Sequence, residues 1–282
     1  MRPIVVGIDF SDCSVNALEH AISIAQKAQL DIVLVWAKKP EDAEPEFLKT
    51  GKNALVLVEE QIGKLIEKYQ PMLPDSTITY HIRKGKPAKE VVAEAAEQNA
   101  FMIVVGTHGS SGFEEMWIGS NANKIVSNSP CPIITIRGGV SIGRELAHIV
   151  LPIDCTIETR QKVPFTAVMA KLFNAEIHVV LILTSKVSTI RRQVEEYAEQ
   201  AIKYFHENKI KYRVEYLQTK NVVDDVIAYA TKVDANLISI MTEMEKSASN
   251  LWLGSYAQQF VNHSPFPVLT VHAKQMMVAQ TV

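Results

Sequence analysis

Residues 106–120 read GTHGSSGFEEMWIGS, with four glycines and three serines in fifteen positions, directly after the apolar run FMIVV. Glycines at a strand exit allow a sharp turn and a close approach to the backbone, and Gly-Ser opening a helix offers unpaired N–H groups to an anion. The candidate residues are therefore Gly106, Gly109, Gly119 and Ser120, with His108 inside the loop. The first strand exit reads GIDFSDCS, with Asp9 at the end of the strand. Two readings stand for each. Ser120 is either a phosphate contact or a helix cap, and Asp9 is either a pocket carboxylate or the acceptor of its own turn. His108 is either a phosphate contact or an exposed loop histidine without a task.

Neither rival phosphate loop is present. A Walker loop needs G-x4-G-K-[ST], and a dinucleotide fingerprint needs G-x-G-x-x-G at the first strand exit, where this chain has one glycine and two aspartates. No Ser-His-Asp or Cys-His set can be assembled from the strand exits, so catalysis beyond slow hydrolysis has little support. The histidines outside the loop form no ligand-spaced cluster, and no metal site is expected. The three cysteines, Cys13, Cys131 and Cys155, are too scattered for a disulfide framework or a metal knuckle, so a reducing cytoplasm is the expected compartment.

The elements that position these residues occur twice. IVVGID at residues 4–9 returns as IVLPID 145 residues later, and SPCPIITI at 129–136 returns as SPFPVLTV 135 residues later. WIGSNA at 117–122 returns as WLGSYA at 252–257, so the second copy is shorter by about ten residues after its second strand. In each copy, five β-branched runs alternate with stretches bearing apolar residues at helical spacing, such as Ala17, Ala21, Ile24 and Ala28. This predicts two tandem α/β domains, each a doubly wound five-stranded parallel sheet with helices on both faces. Ligands of such sheets sit beyond the carboxyl ends of the strands. The expected boundaries are 1–138 and 147–275, with a Gly/Ser-containing linker at 139–146 and a tail at 276–282. The fifth strands would be open edges, so the copies are expected to pair through them as an intramolecular pseudo-dimer.

Composition removes other classes. The chain has 282 residues, 47% of them apolar and 21% charged, the balance of a globular protein. With 29 basic and 31 acidic residues and no Lys/Arg block, it lacks the footprint of a nucleic-acid binder. No apolar run approaches the roughly 20 residues of a spanning helix, and strand-like sequence begins at residue 3, leaving no room for a signal peptide.

The spacing Gly106-x2-Gly109-x9-Gly119-Ser120, with an aspartate ending strand one and P-x-P before strand five, resembles the universal stress protein family in its tandem form. The resemblance implies an adenine nucleotide alpha hydrolase-like fold with strand order 3-2-1-4-5. It also implies a stress-response protein that binds ATP or AMP in its first domain, with no catalytic residue assigned. By resemblance, Gly106 and Gly109 admit ribose and phosphates, Gly119, Ser120 and Asn121 receive phosphate, Ile8, Asp9, Phe10 and Ala37 form the adenine side, and Val105 closes the floor. Magnesium is admitted as a companion, although no ligand cluster supports it. Two departures matter. Glu114 and Glu115 follow the second glycine where a basic residue would favour triphosphate, and the second copy has Met241 and Met244 in place of the two glycines. The second pocket is therefore expected to be degenerate. The alternatives are an interaction scaffold without a nucleotide, and a slow ATP hydrolase or phosphotransferase; the protein partner and any homodimer are left open.

Overall fold

The computed structural model describes residues 2–38, 54–107, 119–137, 145–242 and 255–272. By their contacts these form two compact units, residues 1–131 and 132–282. His108, Gly109, Trp117, Met244 and Trp252 lie outside the described residues.

The first unit is an α/β layer built on β1 (Ile4–Gly7), β2 (Ile32–Lys38), β3 (Ile78–Lys84) and β4 (Met102–Gly106). The order is β3-β2-β1-β4, and every pairing is parallel. Successive strand side chains point to opposite faces, so a strand buried at every position must be covered on both. Ile4, Val5 and Val6 of β1 and Met102, Ile103 and Val104 of β4 are all fully buried, which places helices on both sides of the central strands. The edge strand β3 is exposed at four of its seven positions. The helices are α1 (Asp12–Ala28), α2 (Ala54–Tyr69), α3 (Pro87–Glu97) and α4 (Ser120–Asn128). Ala17, Ala21 and Ile24, picked out by their spacing, all lie in the core.

The second unit holds β5 (Ile133–Ile136), β6 (His148–Ile153), β7 (Glu176–Leu183), β8 (Lys211–Gln218), β9 (Leu237–Thr242) and β10 (Val268–His272). Its helices are α5 (Val163–Phe173), α6 (Ser188–Glu207), α7 (Val222–Lys232) and α8 (Ser255–His263). The second copy's own strands run β8-β7-β6-β9-β10, all parallel, which is the expected order 3-2-1-4-5. β5 makes the pairing between copies that is expected of the fifth strands. It belongs in sequence to the first copy, yet it clusters with the second unit and runs antiparallel to β10, Ile134 opposite Leu269. The two fifth strands therefore pair, as an apolar edge demands.

One device ends most of the crossover helices. After α1, α3, α5, α6 and α7 a single residue takes positive φ: Gln29, Asn99, Asn174, Lys209 and Asp234. The next N–H then bonds back to a carbonyl five residues earlier, as in Ile210 N to Phe205 O at 2.9 Å. This closure turns the chain toward the next strand without glycine.

Candidate functional site

Parallel register brings the ends of β1, β2 and β4 to one edge of the first unit. Gly7 stands opposite Val35 and Val6 opposite Val104, so Ile8 to Phe10, just beyond β1, lie beside the last residues of β2 and β4, Ala37 and Val105 with Gly106. Ile8 and Val105 are buried beneath that edge, while Asp9, Phe10 and Ala37 are partly exposed on it. Phe10 adopts φ 65°, the left-handed region that a bulky residue rarely occupies.

Asp9 serves its own turn. Its Oδ1 accepts from Ser11 N at 3.1 Å and from Ser11 Oγ at 2.6 Å, and Ser11 Oγ in turn caps α1 by accepting from Ser14 N at 3.2 Å. The second unit repeats the arrangement: Asp154 Oδ1 accepts from Thr156 N at 2.7 Å and from Thr156 Oγ1 at 2.5 Å. Asp154 N donates to Thr159 Oγ1 at 3.2 Å, as Asp9 N does to Ser14 Oγ at 3.3 Å. A motif kept at both strand exits builds the exit itself, whatever else its second carboxylate oxygen meets.

Gly106 is required by packing. A Cβ there would stand 2.7 Å from Cys13 Sγ and 2.9 Å from the Cys13 backbone carbon, because the first turn of α1 lies against the end of β4. Gly106→Ala is expected to destabilise the first unit by about 2 kcal/mol, since a backbone neighbour cannot yield as a flexible side chain would. Urea denaturation measures this, and a loss below about 0.5 kcal/mol would contradict the contact. In the second unit Met241 stands at this position, the corresponding segment Ile157–Lys162 is a 3-10 turn, and the α-helix starts only at Val163.

The loop beyond β4 closes on a backbone bond, Gly119 N to Thr107 O at 2.7 Å. Gly119, with φ −58° and ψ 145°, is the N-cap of α4, and no side chain caps the helix. Ser120 is therefore not the cap; it is the first helical residue, and it is exposed like Asn121. The first-turn N–H groups of Ser120, Asn121 and Ala122 point from the N-terminal end of α4, where the helix dipole favours negative charge. Lys124 lies exposed one turn further on.

The second unit fills the equivalent region with polar groups. Lys162, at the position of Ala17, is buried, and its Nζ donates to Thr159 O at 2.9 Å and to Thr159 Oγ1 at 3.0 Å. Burial lowers its pKa from 10.5 to about 8, against the attraction of Asp154. Thr166, beside it, donates to Lys162 O at 2.8 Å and shares a hydrogen bond with Ser239 of β9 at 2.7 Å.

A further group escaped the spacing of the histidines. His148, Glu176 and His178 stand together at the start of β6 and β7, their ligand atoms all within 4.8 Å of one another. Burial, aided by Arg213 and His148 and opposed by Glu176, brings the His178 pKa down to about 4. Thirty residues separate the two histidines, and only strand register joins them.

No helix among the described residues is long and apolar enough to cross a membrane. The model of the universal stress protein family matches the chain twice, over residues 1–137 and 145–272. Universal stress protein MJ0531 of Methanocaldococcus jannaschii is 28% identical over 142 residues, covering 48% of this chain and 82% of the relative. Universal stress protein YxiE of Bacillus subtilis is 32% identical over 149 residues, covering 47% of this chain and 97% of the relative. Among solved structures, a universal stress protein from Archaeoglobus fulgidus superposes with a TM-score of 0.76 at 15% identity, covering 96% of this chain and 98% of that one. With two family matches spanning nearly all of its length, and with the strand order read from its second unit, the chain belongs to the universal stress protein family.

Proposed function

We propose that the chain is a stress-response protein that binds an adenine nucleotide, ATP or AMP, at the carboxyl edge of its first sheet and acts as a ligand-dependent regulator. The functional modules are residues 1–138 and 147–275, joined by 139–146 and followed by a tail at 276–282. The carrying observation is the difference between the two edges. The first keeps glycine at 106 and presents an α4 N-terminus capped only by Gly119, next to the β1 exit. The second has Met241 at the glycine position and a buried lysine, Lys162, at the end of the 3-10 turn that precedes α5. An anion is therefore expected at one edge only. Buried Cys13 and Cys131, neither in a disulfide, suit a reducing cytoplasm.

Mass spectrometry of small molecules released from the purified, denatured protein, together with calorimetry, tests the reading. One adenine nucleotide per chain is expected. Gly109→Met should abolish binding with little loss of stability. Ser120→Ala should weaken binding while costing less than about 0.5 kcal/mol of stability, because the serine does not cap the helix. Two equivalent sites per chain, or no detectable affinity for ATP or AMP, would sink it. The scaffold reading draws on one observation, that the Asp9 turn recurs as the Asp154 turn at the other edge; it gains if both variants leave affinity unchanged.

A further inference from the structure

His148 and Glu176 are the first residues of β6 and β7 and stand opposite each other in parallel register, while Val150 stands opposite His178. Residues two apart on a strand share a face, so all three side chains project from the same side of the sheet. They lie at the amino ends of their strands, away from the carboxyl edge discussed above. His148 Nδ1 is 3.3 Å from His178 Nε2, and Glu176 Oε2 is 3.5 Å from His178 Nε2 and 3.8 Å from His148 Nδ1. Two imidazole nitrogens and a carboxylate oxygen form the donor set of zinc-class ions. Bonds of about 2.0 Å to a tetrahedral ion place neighbouring ligand atoms about 3.3 Å apart, which is the spacing of the histidine pair.

The surroundings are built for the same purpose. His178 is fully buried, and its Nδ1 lies 2.9 Å from the Tyr229 hydroxyl on α7. A proton on Nδ1 donated to that oxygen leaves the Nε2 lone pair aimed at the cluster, the outer-shell arrangement that orients metal-bound histidines. His148 is about one-third exposed and Glu176 about one-quarter, so an ion has a path from solvent. Arg213, opposite His178 on β8, donates to Glu176 Oε2 from Nη2 at 2.6 Å and from Nε at 2.8 Å. This orients the carboxylate, while the positive charge of the guanidinium on the same oxygen opposes a cation and weakens its binding. The cluster is not required by the fold. The first copy has Pro3, Asp31 and Val33 at the corresponding positions, and Asp31 there accepts from Thr77 N at 2.8 Å.

We propose that His148 Nδ1, His178 Nε2 and Glu176 Oε2 form a binding site for one divalent transition-metal ion of the zinc class, clipping β6 to β7 in the second unit. The test uses the full chain, stripped with a chelator and free of nucleotide, titrated with zinc in a calorimeter and with cobalt(II) in a visible spectrometer. One ion per chain is expected, with cobalt bands of tetrahedral intensity and a melting temperature raised by zinc. His148→Ala and Glu176→Gln, both at part-exposed positions, should each weaken binding at least about tenfold, the loss of a metal ligand. Absence of saturable binding with zinc in excess would overturn the site and leave a hydrogen-bonded histidine pair. Binding unchanged in His148→Ala would also overturn it, by placing the ion on other histidines.

Discussion

Lys162→Met is expected to stabilise the second unit at pH 7, and the gain should shrink as the pH rises toward 10. Below about pH 8 the ammonium is charged in both the folded and the unfolded chain, and the folded state bears the full cost of burying it. Between about 8 and 10.5 the folded protein has released the proton and the unfolded chain still holds it, so wild-type stability rises with pH. Over that window the lysine's contribution improves by about 3 kcal/mol, at roughly 1.4 kcal/mol per pH unit. Methionine fills much of the same space and removes the charge, although it gives up the hydrogen bonds to Thr159. The net gain at pH 7 is expected to be about 1–3 kcal/mol. Urea denaturation of both chains at pH 7 and 10 reads the difference directly. A variant less stable at pH 7, or a difference independent of pH, would show that Lys162 is not a strained charge.

Arg83→Met is expected to cost the first unit about 3 kcal/mol, because it leaves a buried carboxylate without its cation. Glu94 on α3 is wholly buried. Its Oε1 meets His81 Nδ1 at 2.7 Å and Gln98 Nε2 at 2.9 Å. Arg83 Nη1 stands 3.0 Å from Oε2, close enough for strong attraction but without hydrogen-bond alignment. Arg83 also forks onto Glu97, with Nη1 at 2.9 Å and Nη2 at 2.7 Å, so one guanidinium offsets several carboxylates on α3. Adding Glu94→Leu to Arg83→Met should restore the stability to within about 1 kcal/mol of the parent, since it is the unpaired charge that destabilises. A double variant no better than the single would mean that Arg83 acts through packing of its stem.

These two residues mark where sequence reading stops. Strands were legible because runs such as IVVG and IVLVWA are apolar throughout, as a two-faced sheet core requires. The repeat then located the strand exits, and with them Ile8 to Phe10, Ala37, Val105 and Gly106. A lysine at 162 carries no local sign of burial, because only the packing of the exit segment against β9 and β10 decides it. His148 and His178 look unrelated by spacing, since parallel register is a property of the assembled sheet. Of the two readings of Ser120, the cap rested on serine's preference for that place, yet Gly119 takes it and bonds Thr107. Gly106 fits a ligand approach and a helix approach equally well on paper; the contact with Cys13 could be seen only after folding.

The antiparallel pairing of β5 with β10 sets a rule for dividing the protein. The boundary expected from the sequence repeat and the seam in the packing are different places: the first is expected after residue 138, and the other falls between 131 and 132. A half-length chain begun at residue 147 would keep β10 and discard the strand that covers it, leaving the backbone groups of Val268, Leu269 and Thr270 open along an apolar edge. Such an edge seeks another strand, and the nearest supply is a second copy of itself. A half begun at residue 132 keeps the strand that pairs with Val268, Leu269 and Thr270. The fusion of the two repeats thus has a physical consequence beyond proximity: the last strand of one repeat serves as the edge guard of the last strand of the other.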